Sequence, residues 1–127
     1  MGQTLINTGV HGIFHVASPL GNSESWESYS TPAMEGTKNL LCSAKLHAGD
    51  QLTSMVVTSS IATVLRTGVS STHVFTESDE SDLSTEHFPE TGNTALLYSI
   101  SKVAMEKLVW KFLDEEQVEM VNHKLDA

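Results

Sequence analysis

A chain of 127 residues with a formal charge of −9 at pH 7 and only seven scattered lysines and arginines has no cationic footprint for nucleic acid or an anionic membrane. Its 39% hydrophobic and 18% charged residues suit one ordinary folded domain at most, and not a disordered segment. Cys42 is the only cysteine, so no internal disulfide forms, and neither a signal peptide, a membrane-length apolar run nor a myristoylation motif (Ile6 stands at its sixth position) is recognisable, which makes the cytosol the default expectation.

Residues 1–11 read as an irregular start. Gly12-Ile13-Phe14-His15-Val16-Ala17-Ser18 reads as a buried strand that stops at Pro19, with small residues at its tip that let a flat or charged ligand approach the backbone. His15, inside it, reads as a core residue rather than a base. Thr8-Gly9-Val10-His11-Gly12 imitates a dinucleotide phosphate loop, but His15 stands where the third glycine belongs and a strand follows where a helix should. Residues 19–31 are polar and read as a loop with a short helix around Ser25–Tyr29. Pro32 suits the first turn of a longer helix, in which Ala33, Thr37, Leu40, Leu41 and Ala44 recur at helical spacing up to His47, with Cys42 a small packing residue.

Residues 52–58 read as a second strand, β-branched at Val56-Val57-Thr58, ending in Ser59 and Ser60. Strand, helix and strand in this order make a βαβ unit with parallel pairing. Ligand chemistry in such sheets gathers beyond the carboxyl ends of the strands, so a hydroxyl at 58–60 is placed to bond a substrate oxygen. Residues 61–92 read as a long surface loop, its acidic run Glu77–Asp82 a solvated stretch. Asn93 or Thr94 caps a helix whose inner face is traced by Ser101, Ala104, Met105, Leu108 and Phe112, with Glu106, Lys107 and Asp114 toward water. Gln117–Asn122 reads as a further strand.

Tyr98 and Lys102 stand four residues apart in this last helix and so share a face. An ammonium beside a phenol favours the phenolate, and a tyrosine so placed exchanges a proton with an alcohol or carbonyl near neutral pH. The histidines show no ligand spacing with a cysteine or carboxylate, so no metal is assigned. No Gly-x-Ser-x-Gly elbow marks Ser60 as a hydrolase nucleophile.

A strand ending His15-Val16-Ala17-Ser18-Pro19, a helix carrying Gly36-Thr37-Lys38-Asn39-Leu40-Leu41, a strand ending Thr58-Ser59-Ser60, then Tyr98-x-x-x-Lys102 and Trp110-Lys111-Phe112 in this order resemble the extended short-chain dehydrogenase/reductases, in their dihydroflavonol reductase and fungal aldehyde/ketone reductase branch. The resemblance spans residues 10 to 116. It implies an α/β, partial Rossmann-like parallel sheet with flanking helices. It implies NAD(P)H-dependent reduction of an aldehyde or ketone, NADP ahead of NAD, with a small carbonyl or alcohol as substrate. By residue, Tyr98 gives the proton, Lys102 tunes it and holds the nicotinamide ribose, and Ser60, second of its Thr-Ser-Ser, orients the carbonyl oxygen. Val16, Ala17, Ser18, Thr58 and Ser59, with Tyr98 and Lys102, face the cofactor.

The likeness also departs from the family. No glycine-rich βαβ opening precedes Gly12, and Asn122-His123-Lys124 replaces the Asn-Pro-Gly that leads into the substrate half. Residues 1–127 therefore read as a single partial NAD(P)-binding domain, expected to bind NADPH weakly or not at all because helix-N-terminus donors for the pyrophosphate are missing. Two other readings stay open: a nucleotide-sugar epimerase or dehydratase relative, and a catalytically inert product that self-associates through uncovered sheet edges.

Overall fold

The computed structural model describes residues 9–18, 25–84, 86 and 93–116. The strand expected at 117–122, the loop at 19–24 and the start up to residue 8 lie outside the described residues. Strand β1 (Gly12–His15), helix α1 (Trp26–His47), strand β2 (Ser54–Val57) and helix α2 (Thr94–Glu116) follow in chain order, with one-turn 3-10 helices at Gly49–Gln51 and Ile61–Thr63.

Helix α1 starts where Ser25, in extended backbone, accepts a hydrogen bond from the Ser28 amide at 3.3 Å. Glu27 in the first turn and Lys45 and His47 in the last complement the helix dipole. The helix closes where the Ala48 amide bonds the Ala44 carbonyl at 3.0 Å, just before Gly49. A short helix followed by a second start at Pro32 is the sequence expectation; the structure instead runs one helix through Pro32. Proline lacks the N–H that would bond the Ser28 carbonyl. Burial of Tyr29, Ser30 and Ala33 around it outweighs that single lost donor.

The two strands pair in parallel, with Gly12 opposite Ser54, Ile13 opposite Met55, Phe14 opposite Val56 and His15 opposite Val57. This is the expected βαβ unit, a partial Rossmann-like sheet. Both helices pack on one of its faces, where Ile13, Met55 and Val57 meet Leu41 and Leu40 of α1 and Met105, Val109 and Leu113 of α2. Side chains alternate along a strand, so Phe14 points the other way and is 74% exposed. The buried strand expected over residues 12–18 is thus corrected on two counts. It ends at His15, and among the described residues no layer covers its second face.

Asn93 caps α2, accepting the Leu96 amide on its side-chain oxygen at 3.1 Å. Of the inner face expected of this helix, Ser101 and Met105 are buried but Ala104, Leu108 and Phe112 are only half-buried, and the buried face is wider. Leu97, Ile100, Ser101, Lys102, Val103, Met105, Glu106, Val109 and Leu113 are all buried, because α1 and the sheet take one side of it and the 61–63 turn another. Glu106, expected in water, is among them. The acidic run is also more than a solvated stretch. Asp79 accepts the Thr76 amide at 2.8 Å and His73 Nε2 at 3.0 Å, and Asp82 accepts the Thr67 amide at 3.0 Å. The Thr76 amide, ahead of His73, holds the Asp79 carboxyl below its ordinary range.

Gly36 lies in the middle of α1, and a Cβ built on it meets nothing within 4 Å. Gly36→Ala should stabilise the chain by about 0.5–1 kcal/mol, read as a higher urea midpoint with an unchanged slope. A lower midpoint would show that this face of α1 is packed.

Candidate active site

The carboxyl ends of β1 and β2 emerge side by side, tied by the Thr58 amide to the His15 carbonyl at 3.0 Å. Val16, Ala17 and Ser18 therefore leave the sheet next to Thr58, Ser59 and Ser60. Val16 and Ala17 are exposed, which gives an open ledge of small backbone-accessible residues.

Helix α2 faces this ledge through Lys102. Its ammonium donates to the Thr58 carbonyl at 3.2 Å and lies 5.9 Å from the centre of the Tyr98 ring. One cation thus joins the strand tip to the tyrosine, within reach of a cation–π contact. Lys102 is only 3% exposed, and among the described residues no carboxylate pairs with it. Burial pushes its pKa below the ordinary lysine value. Tyr98 is half-buried one turn before it, and the carbonyl of Tyr98 accepts the Ser101 hydroxyl at 2.7 Å.

The two serines separate by what their hydroxyls already do. Ser59 donates to the Glu106 carboxylate, so its proton is committed. Ser60 accepts the Ala62 amide at 3.2 Å and thereby caps the 61–63 turn. A hydroxyl that accepts keeps its own proton for donation. Ser60 can therefore offer an O–H to a ligand oxygen, which Ser59 cannot do without giving up Glu106. Thr63 completes the corner, donating to the Ser60 carbonyl at 2.8 Å and lying 3.3 Å from the Ser59 hydroxyl.

His15 sits at the tip of β1. Its Nε2 is 2.9 Å from the Thr37 hydroxyl, which itself donates to the Ala33 carbonyl at 2.7 Å. The histidine must then be the donor, so Nε2 carries the hydrogen. Burial, then the nearby Lys102 charge, lowers its pKa. A neutral, tethered imidazole fits the core role expected of it better than a base.

The ledge fits the nicotinamide end of a dinucleotide: two parallel strand tips, small residues at 16–18, and a donor lysine between them. The phosphate end finds no such fit at the glycine pair. Gly9 takes a positive φ of 60° in a turn, and Gly12 begins β1 rather than a helix.

The model of the male sterility protein, an NAD-binding family, matches residues 3–125. The chain belongs to this family, among the extended short-chain dehydrogenase/reductases. This reductase-type segment is 35% identical over 115 residues to a cinnamoyl-CoA reductase of Medicago truncatula, covering 89% of this chain and 34% of that protein. It superposes on the Candida albicans Gre2 structure in complex with NADPH with a TM-score of 0.81 at 26% identity, covering 97% of this chain and 37% of the other. A reductase solved for structure-guided engineering against substrate inhibition gives a TM-score of 0.78 at 29% identity, with 97% and 38% covered. The chain thus spans about a third of the length of the curated relatives it matches.

Sequence reasoning missed Glu106. The signal was present, since 106 continues the 98, 102 series by one more helical turn. Lys102 yields the pH test. A lysine whose folded pKa is lowered binds fewer protons than in the unfolded chain between the two values, so stability should rise as pH climbs through that window toward ~10.4. Lys102→Met should flatten the rise, compared as urea midpoints at several alkaline pH values. An equal rise in both proteins would contradict the burial of this charge.

Proposed function

We propose that residues 9–116 form the proton-transfer half of an NADPH-dependent carbonyl reductase acting on aldehydes or ketones. The observation that carries this reading is the buried ammonium of Lys102, with no carboxylate partner among the described residues, held between the Tyr98 ring and the strand tip. A desolvated charge is costly unless it serves something, and such groups cluster at functional sites. Here it serves a site that needs positive potential beside a phenol.

In this reading Ser60 donates its free O–H to the substrate carbonyl oxygen and fixes its direction. Tyr98 Oη delivers a proton to the same oxygen as negative charge develops there. Lys102 stabilises the phenolate left behind and would also hold the ribose of a bound cofactor. Val16, Ala17 and Ser18, with the backbone at 58–59, would hold the nicotinamide of a bound cofactor. When bound, NADPH supplies the hydride; the chain supplies placement and electrostatics.

NADP is preferred to NAD on the strength of the NADPH held by the Candida albicans relative. Residues 1–127 act as one partial dinucleotide-binding domain with a small-molecule substrate. The charge of −9 argues against a nucleic-acid partner, and no described helix is long and apolar enough to cross a membrane. A cytosolic site of action is part of the same reading. The exposed Phe14 and Val16 on the open sheet face support self-association of the isolated chain.

The test transplants residues 9–116 into the matching segment of the Candida albicans Gre2 protein. The graft should oxidise NADPH in the presence of an aldehyde. Tyr98→Phe in the graft should cut kcat by about 10²–10⁴ while NADPH affinity stays within about twofold. Full turnover by the Tyr98→Phe graft would remove the proposed role.

A further inference from the structure

We infer that Glu106 is a positioning residue that sets the strand tip bearing Ser60 against Tyr98; the functional part of this inference rests on the reading above. Tyr98, Lys102 and Glu106 occupy successive turns of α2 and so share one broad face. The second and third of them each grip one residue of the strand tip. Lys102 Nζ donates to the Thr58 carbonyl at 3.2 Å, and Glu106 Oε2 accepts the Ser59 hydroxyl. Two consecutive residues are thereby held by two consecutive turns, one through a backbone oxygen and one through a side chain. The next residue along is Ser60.

The second link matters because the first leaves a degree of freedom. Lys102 holds the Thr58 carbonyl and the His15 carbonyl holds the Thr58 amide, but neither bond restrains the backbone beyond Thr58. The Ser59–Glu106 bond supplies a point beyond Thr58, 47 residues away in sequence, and fixes the direction in which the chain leaves the strand. From there Ser60 adopts extended backbone (φ −156°, ψ 151°), caps the turn through Ala62, and is itself gripped by Thr63 through its carbonyl. The O–H of Ser60 keeps its freedom to donate.

Glu106 is 8% exposed and lines a cavity of about 370 Å³ with Thr63, Ser81, Val103 and Trp110. A shorter side chain would open the corner toward that cavity rather than be replaced by neighbouring packing. A buried carboxylate is in itself a poor stabiliser of a fold. Its use is to fix geometry, and a neutral acceptor of the same length should serve as well.

The experiment follows amide hydrogen exchange by NMR in the 127-residue chain for Glu106→Gln, Glu106→Ala and Ser59→Ala. Exchange at the Thr63 and Val64 amides, which close the turn behind Ser60, should quicken by about tenfold or more in Glu106→Ala and Ser59→Ala. Exchange at Leu41 and Ala44 in α1 should stay the same. Glu106→Gln should keep all four within about twofold of the parent chain, because its carbonyl oxygen accepts from Ser59 as the carboxylate does. In the Gre2 graft, Glu106→Ala should lower kcat about tenfold with little change in aldehyde KM, and Glu106→Gln should restore it. Unchanged exchange at Thr63 and Val64, an equal rise at Leu41 and Ala44, or no rescue by glutamine overturns the proposal. These outcomes are read independently of Tyr98→Phe, so the positioning role and the reductase reading fail separately.

Discussion

A lysine ammonium with almost no access to water, held by one carbonyl and one aromatic ring, is the constraint around which this structure is arranged. Lys102 cannot leave α2, and the Thr58 carbonyl cannot leave the end of β2. Their contact therefore joins the helix to the end of the sheet, alongside the packing of Met105 and Val109 on Met55 and Val57. Tyr98, one turn earlier, is half-buried with its ring centre 5.9 Å from the same ammonium. The apolar cluster of Leu41, Met55, Met105 and Val109 supplies the cohesion that holds the desolvated charge in place.

The same arrangement divides labour among hydroxyls that look interchangeable in sequence. Thr58, Ser59 and Ser60 all stand at the strand end. The first gives its carbonyl to Lys102, the second gives its proton to Glu106, and the third accepts an amide while keeping its own proton. Chemical roles here follow from which hydrogen-bonding capacity has already been used. Of the two serine hydroxyls, Ser60 is the one whose donor is not already committed.

Much of this was legible beforehand. The helical spacing of Ala33, Thr37, Leu41 and Ala44, the β-branched run at 56–58 and the Asn93 cap each act through local rules, and the structure follows them. So does the i, i+4 pairing of Tyr98 with Lys102, and with it the family. What was not legible depends on layers. Whether Phe14 is buried is decided by what covers the second face of the sheet, which the pattern of β1 does not state. Glu106 reads as a surface residue because charge predicts exposure, yet a partner 47 residues upstream draws it inward. Pro32 reads as a helix start because its local cost is plain, while the burial that offsets it is tertiary.

The most direct measurement of the central claim is the NMR titration of the Lys102 side-chain carbon next to its ammonium in the intact chain. Its midpoint should fall below the ordinary lysine value near ~10.4, and Tyr98→Leu should perturb the resonance of the same carbon. A Lys102 that titrates as a free lysine does, with a signal indifferent to the loss of the Tyr98 ring, would place the ammonium in solvent and dissolve the site built upon it.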